Sequence, residues 1–64
     1  MHFLFEETNT GEEFIVFAEN LQQAKFFGKA IANEIAETYG EKARLICWGA
    51  ITEEEAEASG LDEY

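Results

Sequence analysis

One long amphipathic segment, bounded at both ends by helix-capping residues, limits the folds open to this 64-residue chain. Asn20 can accept the free backbone N–H of Gln23, and Gln23 stands at the offset from which its side chain can reach back, as in a capping box. Apolar residues then recur at helical spacing, namely Leu21, Ala24, Phe27, Gly28, Ile31, Ala32, Ile35 and Tyr39. Gly40 follows as a positive-φ stop. The pattern predicts a helix over Leu21–Tyr39, about 28 Å long.

Three short runs rich in aromatic and β-branched residues predict three strands. The runs are His2–Phe5, Phe14–Ala18 and Arg44–Ile51. Residues 6–13 separate the first two runs and contain Asn9 and Gly11, which tolerate positive φ. This segment therefore predicts a hairpin loop.

A second, shorter helix is predicted at the C-terminal end. Thr52 and Glu55 form a capping box, and the carboxylates of Glu53 and Glu54 lie where the helix dipole favours them. Gly60 provides a positive-φ ending. The resulting helix, Glu53–Ser59, has about two turns and persists only when it is docked on the rest of the fold.

The order of these elements predicts one α+β domain over residues 1–64, arranged β-β-α-β with a short C-terminal helix. We expect a three-stranded, mainly antiparallel sheet in the order 2-1-3, with the long helix packed on one face. The alternative is a parallel pairing of the third strand with the second.

Cysteine and histidine occur once each, as Cys47 and His2, so neither an intrachain disulfide nor a Cys/His metal cage can form. We expect no metal and no cofactor. A lone thiol and the lack of a signal-peptide pattern favour a reducing cytoplasm. No apolar run approaches the roughly 20 residues of a membrane span. So short a chain buries only about 60% of its unfolded surface, which makes oligomerisation the expected extra source of stability.

The predicted sheet has too many apolar residues for one helix to cover. A strand buried on one face alternates apolar with polar residues, and these strands do not. If Phe3 and Phe5 face the helix, Leu4 faces away. In the third strand we expect Leu45, Cys47 and Ile51 to alternate against Ile46 and Trp48. The residues left on the second face are Leu4, Ile15, Phe17, Ile46 and Trp48.

Three arrangements can cover such a patch. The C-terminal helix and Tyr64 can fold under the sheet, a homodimer can form through the patch, or a foreign partner can bind there. Phe26 is a second apolar residue without an assigned place, since helical spacing puts it beside Asn33 and Glu37, away from the apolar stripe. It is either an interface anchor ringed by polar residues or a side chain that packs on the hairpin loop or stays in solvent.

Fourteen acidic residues against four basic ones leave a net charge of −10. Such a surface repels nucleic acid and anionic membranes and attracts basic surfaces, so we expect no direct nucleic-acid binding. The acids concentrate in the hairpin, late in the long helix and near the C-terminal end. We take as candidate partner-binding residues Glu6, Glu7, Glu12, Glu13, Glu34, Glu37, Glu53, Glu54, Glu55, Glu57, Asp62 and Glu63, with Phe26 as anchor and Glu41 extending the helix stripe. The alternatives are a purely solvating surface and weak cation binding.

The sequence carries no set of residues typical of catalysis. Cys47 lies in an apolar strand between Ile46 and Trp48, where a free cysteine is commonly a small core residue. A nucleophilic thiol needs a base and an electropositive setting, and His2 is the sole candidate base. A small thiol-dependent enzyme is therefore the weakest hypothesis, and we expect the chain not to be an enzyme.

A strand ending in Ala18, the capping Asn20 and the helix opening Gln23-Ala24 resemble a pattern common in short phage and mobile-element proteins. The ending over residues 51–57, with Gly60-Leu61-Asp62, is similar to the tails of such proteins. A small acidic α+β chain without a catalytic set also resembles phage-encoded inhibitors of host defence, anti-CRISPR proteins among them. Some of these present carboxylates to a nucleic-acid-binding groove. The resemblance implies a class of role and assigns no residues.

From residues and resemblance together we expect a phage-encoded, anti-CRISPR-like inhibitor in the cytoplasm of a host bacterial cell. Its partner would be a host nucleic-acid-handling defence protein with a basic surface, and its acidic surfaces would mimic phosphates. The alternative is a homodimeric accessory or structural domain of a phage or mobile element, in which acidity confers solubility alone.

Overall fold

The computed structural model describes residues 1–40 and 43–64 and has the predicted α+β architecture. The elements in chain order are β1 (His2–Glu7), β2 (Glu12–Phe17), α1 (Leu21–Tyr39), β3 (Leu45–Ile51) and α2 (Glu53–Ser59). The three strands form one antiparallel sheet in the order β2-β1-β3. The predicted strand order is confirmed, and the parallel alternative is not adopted.

The hairpin strands are longer than predicted, because one acidic residue organises the loop between them. The carboxylate of Glu7 accepts hydrogen bonds from the backbone N–H groups of Asn9 and Thr10, at 3.1 and 2.9 Å. Gly11 closes the loop with φ of 75° and donates its N–H to the carbonyl of Glu7. The loop is thereby reduced to residues 8–11, and the strands extend to Glu7 and from Glu12.

Helix α1 has the predicted bounds. The side chain of Asn20 accepts the N–H of Gln23 at 2.8 Å, and Gly40 ends the helix with φ of 72°. The second bond of the predicted capping box has a different donor. The side chain of Gln23 accepts the N–H of Glu19, at 2.7 Å, and not that of Asn20. In a capping box the donor would be the N–H of Asn20, one residue later in the chain. The bond from Glu19 still satisfies a free backbone donor near the start of the helix.

The core lies between the helix and one face of the sheet. Its buried residues are Phe3, Phe5, Phe14, Val16, Ala18 and Ala24. Only Ala24 and Gly28 of α1 are buried, with Ile31 partly buried against the core. Leu21 and Tyr39 at the ends of the apolar stripe are exposed, as is Phe27 in its middle, so the stripe is only partly covered. We call the sheet face opposite α1 the outer face.

A β-bulge in β3 changes which of its residues face the helix. Phe5 pairs with Cys47 and Leu4 with Gly49, which leaves Trp48 as the extra residue. A bulge of one residue shifts the alternation after it. Ile51 is therefore opposite His2, on the outer face, and the expectation that it shares a face with Leu45 and Cys47 is wrong.

The segment after α2 forms an isolated parallel bridge with β2 at the edge of the sheet. Ile15 donates its N–H to the carbonyl of Asp62 at 2.8 Å, and Tyr64 donates its N–H to the carbonyl of Ile15 at 2.7 Å. Strands β3 and β2 are the two edge strands of the sheet. Residues 52–61 must therefore cross from the β3 edge to the β2 edge. The Tyr64 ring contacts Phe14 of the helix-side core, with ring centroids 4.9 Å apart. Tyr64 is thus at the β2 edge and not under the outer face.

Candidate functional site

The hairpin strands place glutamates directly opposite one another. Glu6 is in register with Glu13, and Glu7 with Glu12. Like charges at directly opposed positions destabilise a strand pair. Glu12 and Glu13 are exposed and Glu6 is half-buried, and we call these three residues the hairpin acids. Their arrangement concentrates negative charge at one end of the sheet.

Glu7 does not belong to this surface, which corrects its assignment as a partner-binding residue. Its side chain is buried, with 6% of the residue exposed, and its two carboxylate oxygens accept hydrogen bonds from the loop and from the N–H of Arg44. The backbone N–H of Asn9 lowers the pKa of Glu7 most; desolvation opposes this, and the bonds from Thr10 and Arg44 lower it further. The sequence pattern of paired glutamates cannot distinguish this structural carboxylate from its neighbours.

Helix α2 and the segment after it carry the second group of acids. One carboxylate oxygen of Glu55 takes part in the capping box, where it accepts the N–H of Thr52 at 3.2 Å. The remaining carboxylates are those of Glu53, Glu54, Glu57, Asp62 and Glu63, all of them exposed. We call these five residues, together with Glu55, the α2 acids.

An acidic groove of about 590 Å³ runs between α2 and the outer face. Three carboxylates line it, those of Glu53, Glu57 and Glu63, together with the imidazole of His2. His2 Nδ1 lies 3.7 Å from a carboxylate oxygen of Glu63. A groove with this lining suits the basic side chain of another molecule.

An apolar groove of about 330 Å³ lies between α1 and the β2 edge. It is lined by Val16, Phe17, Phe27, Ala30, Ile31 and Tyr64. Phe26 is 71% exposed, and its ring contacts that of Phe27 with centroids 6.2 Å apart. Phe26 therefore extends the apolar surface beyond the groove, on the exposed side of the helix.

The two grooves meet at Phe17. This side chain lines both the acidic groove and the apolar groove, and 53% of the residue is exposed. One partner can thus place an apolar side chain and a basic side chain on neighbouring parts of the same surface. Aromatic residues at the centre of an interface commonly carry much of its binding energy.

The acids late in α1 are exposed as well. Glu34 and Glu37 are spaced by about one helical turn, and Glu34 follows Ala30 of the apolar groove at the i, i+4 spacing that places two residues on one side of a helix. Glu34 therefore lies on the groove side of α1. Glu41, which was expected to extend this stripe, is outside the described residues.

Very little of the negative charge is balanced within the described part of the chain. Over residues 1–40 and 43–64, the single close contact between a basic and an acidic side chain is that of His2 with Glu63, and it is an ion pair only when His2 is protonated. The lysines Lys25 and Lys29 lie on the opposite side of α1, where they line a groove with Leu45 and Cys47. The acidic side of the molecule is therefore available to an external cation or basic surface.

The five residues expected on a dimer face are not all accessible. Ile15 is 1% exposed, its backbone pairs with the segment after α2, and its side chain lies at the base of the acidic groove, so its assignment to a dimer face is wrong. Phe17 belongs to the two grooves. Ile46 and Trp48 are exposed and Leu4 is half-buried. Trp48 Nε1 donates to a carboxylate oxygen of Glu6 at 3.0 Å.

Cys47 is half-buried and packs against the hydrophobic core. Among the residues that the structure describes, no group of three or more His, Cys, Asp or Glu side chains could hold a metal ion. Within the same residues, no helix is long and apolar enough to cross a bilayer.

Comparison of the chain with protein-family profiles, with curated proteins and with solved structures finds no match.

Sequence reasoning missed the role of Phe27 and Tyr64 as groove residues. The adjacent pair Phe26-Phe27 was the available signal, since two consecutive aromatic residues cannot both face the core of one amphipathic helix. Nothing in the sequence indicates the position of Tyr64, which depends on the pairing of residues 62–64 with Ile15 nearly fifty positions away.

Proposed function

We propose that this protein is an inhibitor that binds the basic, nucleic-acid-binding surface of another protein. Its carboxylates occupy positions that nucleic-acid phosphates would take, and its apolar groove receives an apolar side chain of the partner. The observation that carries the proposal is the meeting of an acidic groove and an apolar groove at one exposed residue, Phe17.

The charge distribution supports a basic partner. With a net charge of −10, and with His2–Glu63 as the single close acid–base contact over the described residues, the acids produce a negative potential that attracts cations. Direct contact with DNA or RNA would require basic residues on the binding surface, and the described lysines lie on the other side of α1.

The apolar groove supports a protein partner over a small cation. An exposed apolar patch rimmed by polar residues is typical of a protein-interaction site. Phe17 and Phe26 are exposed at this patch, and neither solvation of the fold nor metal binding requires exposed aromatic residues. The resemblance to phage-encoded inhibitors of host defence suggests the partner class, a host nucleic-acid-handling defence protein in a bacterial cytoplasm.

The first test is capture of partners on the immobilised chain from a lysate of its host, followed by elution with duplex DNA or RNA. Two variants with the same charge change, Glu57→Lys and Glu19→Lys, are compared with wild type. Both residues are exposed, and only Glu57 lines the acidic groove. We expect wild type and Glu19→Lys to retain a nucleic-acid-binding protein that added nucleic acid displaces, and Glu57→Lys to lose it.

A partner held equally by all three proteins and unaffected by nucleic acid would show that the acids do not mimic phosphates. Failure of wild type to retain any nucleic-acid-binding protein would contradict the proposal as a whole. Rising salt should weaken the interaction, because screening reduces the attraction between opposite charges.

A homodimeric accessory domain is the second candidate function. It is favoured by the exposure of Trp48, at 62%, and of Ile46 on a part of the outer face that α2 leaves open. Under this hypothesis Glu57→Lys would leave the function of the chain intact, and disruption of the surface around Trp48 would abolish it.

A further inference from the structure

The two edges of the sheet differ in how they are covered. At the β2 edge, residues 62–64 pair with the backbone of Ile15. At the other edge, β3 has β1 on one side and no partner strand on the other among the described residues. An uncovered edge presents free N–H and C=O groups to any strand that approaches it.

Strand β3 lacks most features that keep edge strands from pairing. Its seven residues, LICWGAI, contain no charged residue and no proline. Natural edges are commonly protected by lysine, proline, shortening or a bulge, and here only the bulge at Trp48 is present. Ile46 and Trp48 are exposed beside this edge, so a second strand would also find apolar side chains to pack against.

The charges at the two ends of β3 favour an antiparallel partner with the same sequence. Arg44 immediately precedes the strand, and Glu53 and Glu54 follow it at the start of α2. In an antiparallel pair of identical strands, the Arg44 end of each copy lies beside the Glu53 end of the other. A parallel pair would instead bring like charges together, which destabilises pairing.

We propose that β3 is a self-association site at which two copies of the chain pair antiparallel, edge to edge, about a two-fold axis. The two sheets then form one continuous six-stranded sheet, with Trp48 and Ile46 of both copies on its outer face. A self-complementary contact of this kind is typical of two-fold dimers. The site includes neither the acidic groove nor the apolar groove. Self-association at β3 is therefore tested independently of the proposed function.

Sedimentation equilibrium of the full chain tests the proposal. We expect the average mass to rise with concentration from 7.3 kDa toward twice that value. Trp48→Lys should weaken dimerisation at least about tenfold. Phe26→Lys, which makes the same chemical change at another exposed aromatic residue, should leave it unchanged. Wild type that stays monomeric up to about 1 mM would overturn the proposal.

Hydrogen exchange of wild type locates the interface and does not depend on the variants folding. Edge pairing predicts that amides of β3 become more protected as the concentration rises, since they gain hydrogen-bond acceptors from the second copy. A dimer in which β3 amides exchange at the same rate at all concentrations would place the contact elsewhere and contradict the edge-to-edge arrangement. Loss of dimerisation in Phe26→Lys would contradict it as well.

Discussion

At the scale of single residues, Glu7 shows how a charged side chain can be part of the fold. Its buried carboxylate accepts bonds from Asn9, Thr10 and Arg44, and so connects the hairpin loop to the start of β3. Such bonds to a carboxylate favour its ionised form and lower its pKa. The stability of the fold is therefore linked to the ionisation of this residue.

Glu7→Gln should destabilise the protein at neutral pH, because the amide replaces one acceptor oxygen with an NH₂ group that faces N–H donors. Since the pKa of Glu7 is lowered on folding, its contribution is present above its ordinary value of 4.5 and is lost as the pH falls through the folded value. The difference in unfolding free energy between wild type and variant should thus shrink below pH 4.5. Urea denaturation at a series of pH values measures it.

Glu12→Gln is the matched control for this experiment. Glu12 is the cross-strand neighbour of Glu7, is exposed, and shares the same unfavourable pairing of like charges. Its replacement should leave stability unchanged or raise it slightly. Equal destabilisation by the two variants at neutral pH would show that Glu7 has no special structural role.

At the scale of elements, the contact between α1 and the sheet depends on a glycine. A Cβ built on Gly28 would lie 2.7 Å from Phe5 Cε2, closer than side chains tolerate. Glycine costs about 1 kcal/mol relative to alanine within a helix. Its presence here allows the helix to approach the aromatic core closely.

Gly28→Ala should lower the free energy of unfolding by about 1–2 kcal/mol, because the overpacking strain exceeds the gain in helix propensity. Asn33→Ala, at an exposed position of the same helix, should raise it by up to about 0.7 kcal/mol. Urea denaturation midpoints check both values. A stabilised Gly28→Ala would mean that Phe5 moves without cost and that the close approach is not required.

At the scale of the whole molecule, the unbalanced charge opposes folding. The acids repel one another, and among the described residues a single acid–base contact, between His2 and Glu63, lies close enough to offset this repulsion when His2 is protonated. A compact chain of high net charge is destabilised by self-repulsion. Both proposals for this protein, a basic partner and an uncharged edge for self-association, are consistent with a molecule whose strand β3 itself contains no acidic residue.

Added salt should raise the thermal midpoint of the isolated chain, since the screening length falls from about 30 Å at 0.01 M to about 3 Å at 1 M. The triple variant Glu53→Gln, Glu54→Gln and Glu57→Gln should show a smaller rise, because it has fewer charges to screen. The measurement is circular dichroism during heating in increasing sodium chloride. A midpoint that falls with salt would show that attractive ion pairs outweigh the repulsion.

The sequence by itself determined the elements, their order and the uneven placement of charge. The bounds of α1 and α2 follow from local signals, Asn20 and Gly40 for the first and Thr52 and Gly60 for the second. Each capping signal acts over three or four residues, so it can be recognised in the sequence without knowledge of the fold. The antiparallel order 2-1-3 was the simplest expectation from the order of the elements, and the structure confirms it over the parallel alternative.

Only the tertiary structure decided which residues are accessible and which lie together. The bulge at Trp48 moved Ile51 to the outer face, and pairing with residues 62–64 buried Ile15. The carboxylate of Glu7 accepts a bond from the N–H of Arg44, 37 positions away, and Phe17 lines both grooves. The hydrogen bonds of Glu7 with Arg44 and of Ile15 with Asp62 and Tyr64 join residues 37 to 49 positions apart. A local sequence pattern carries no information about such pairings.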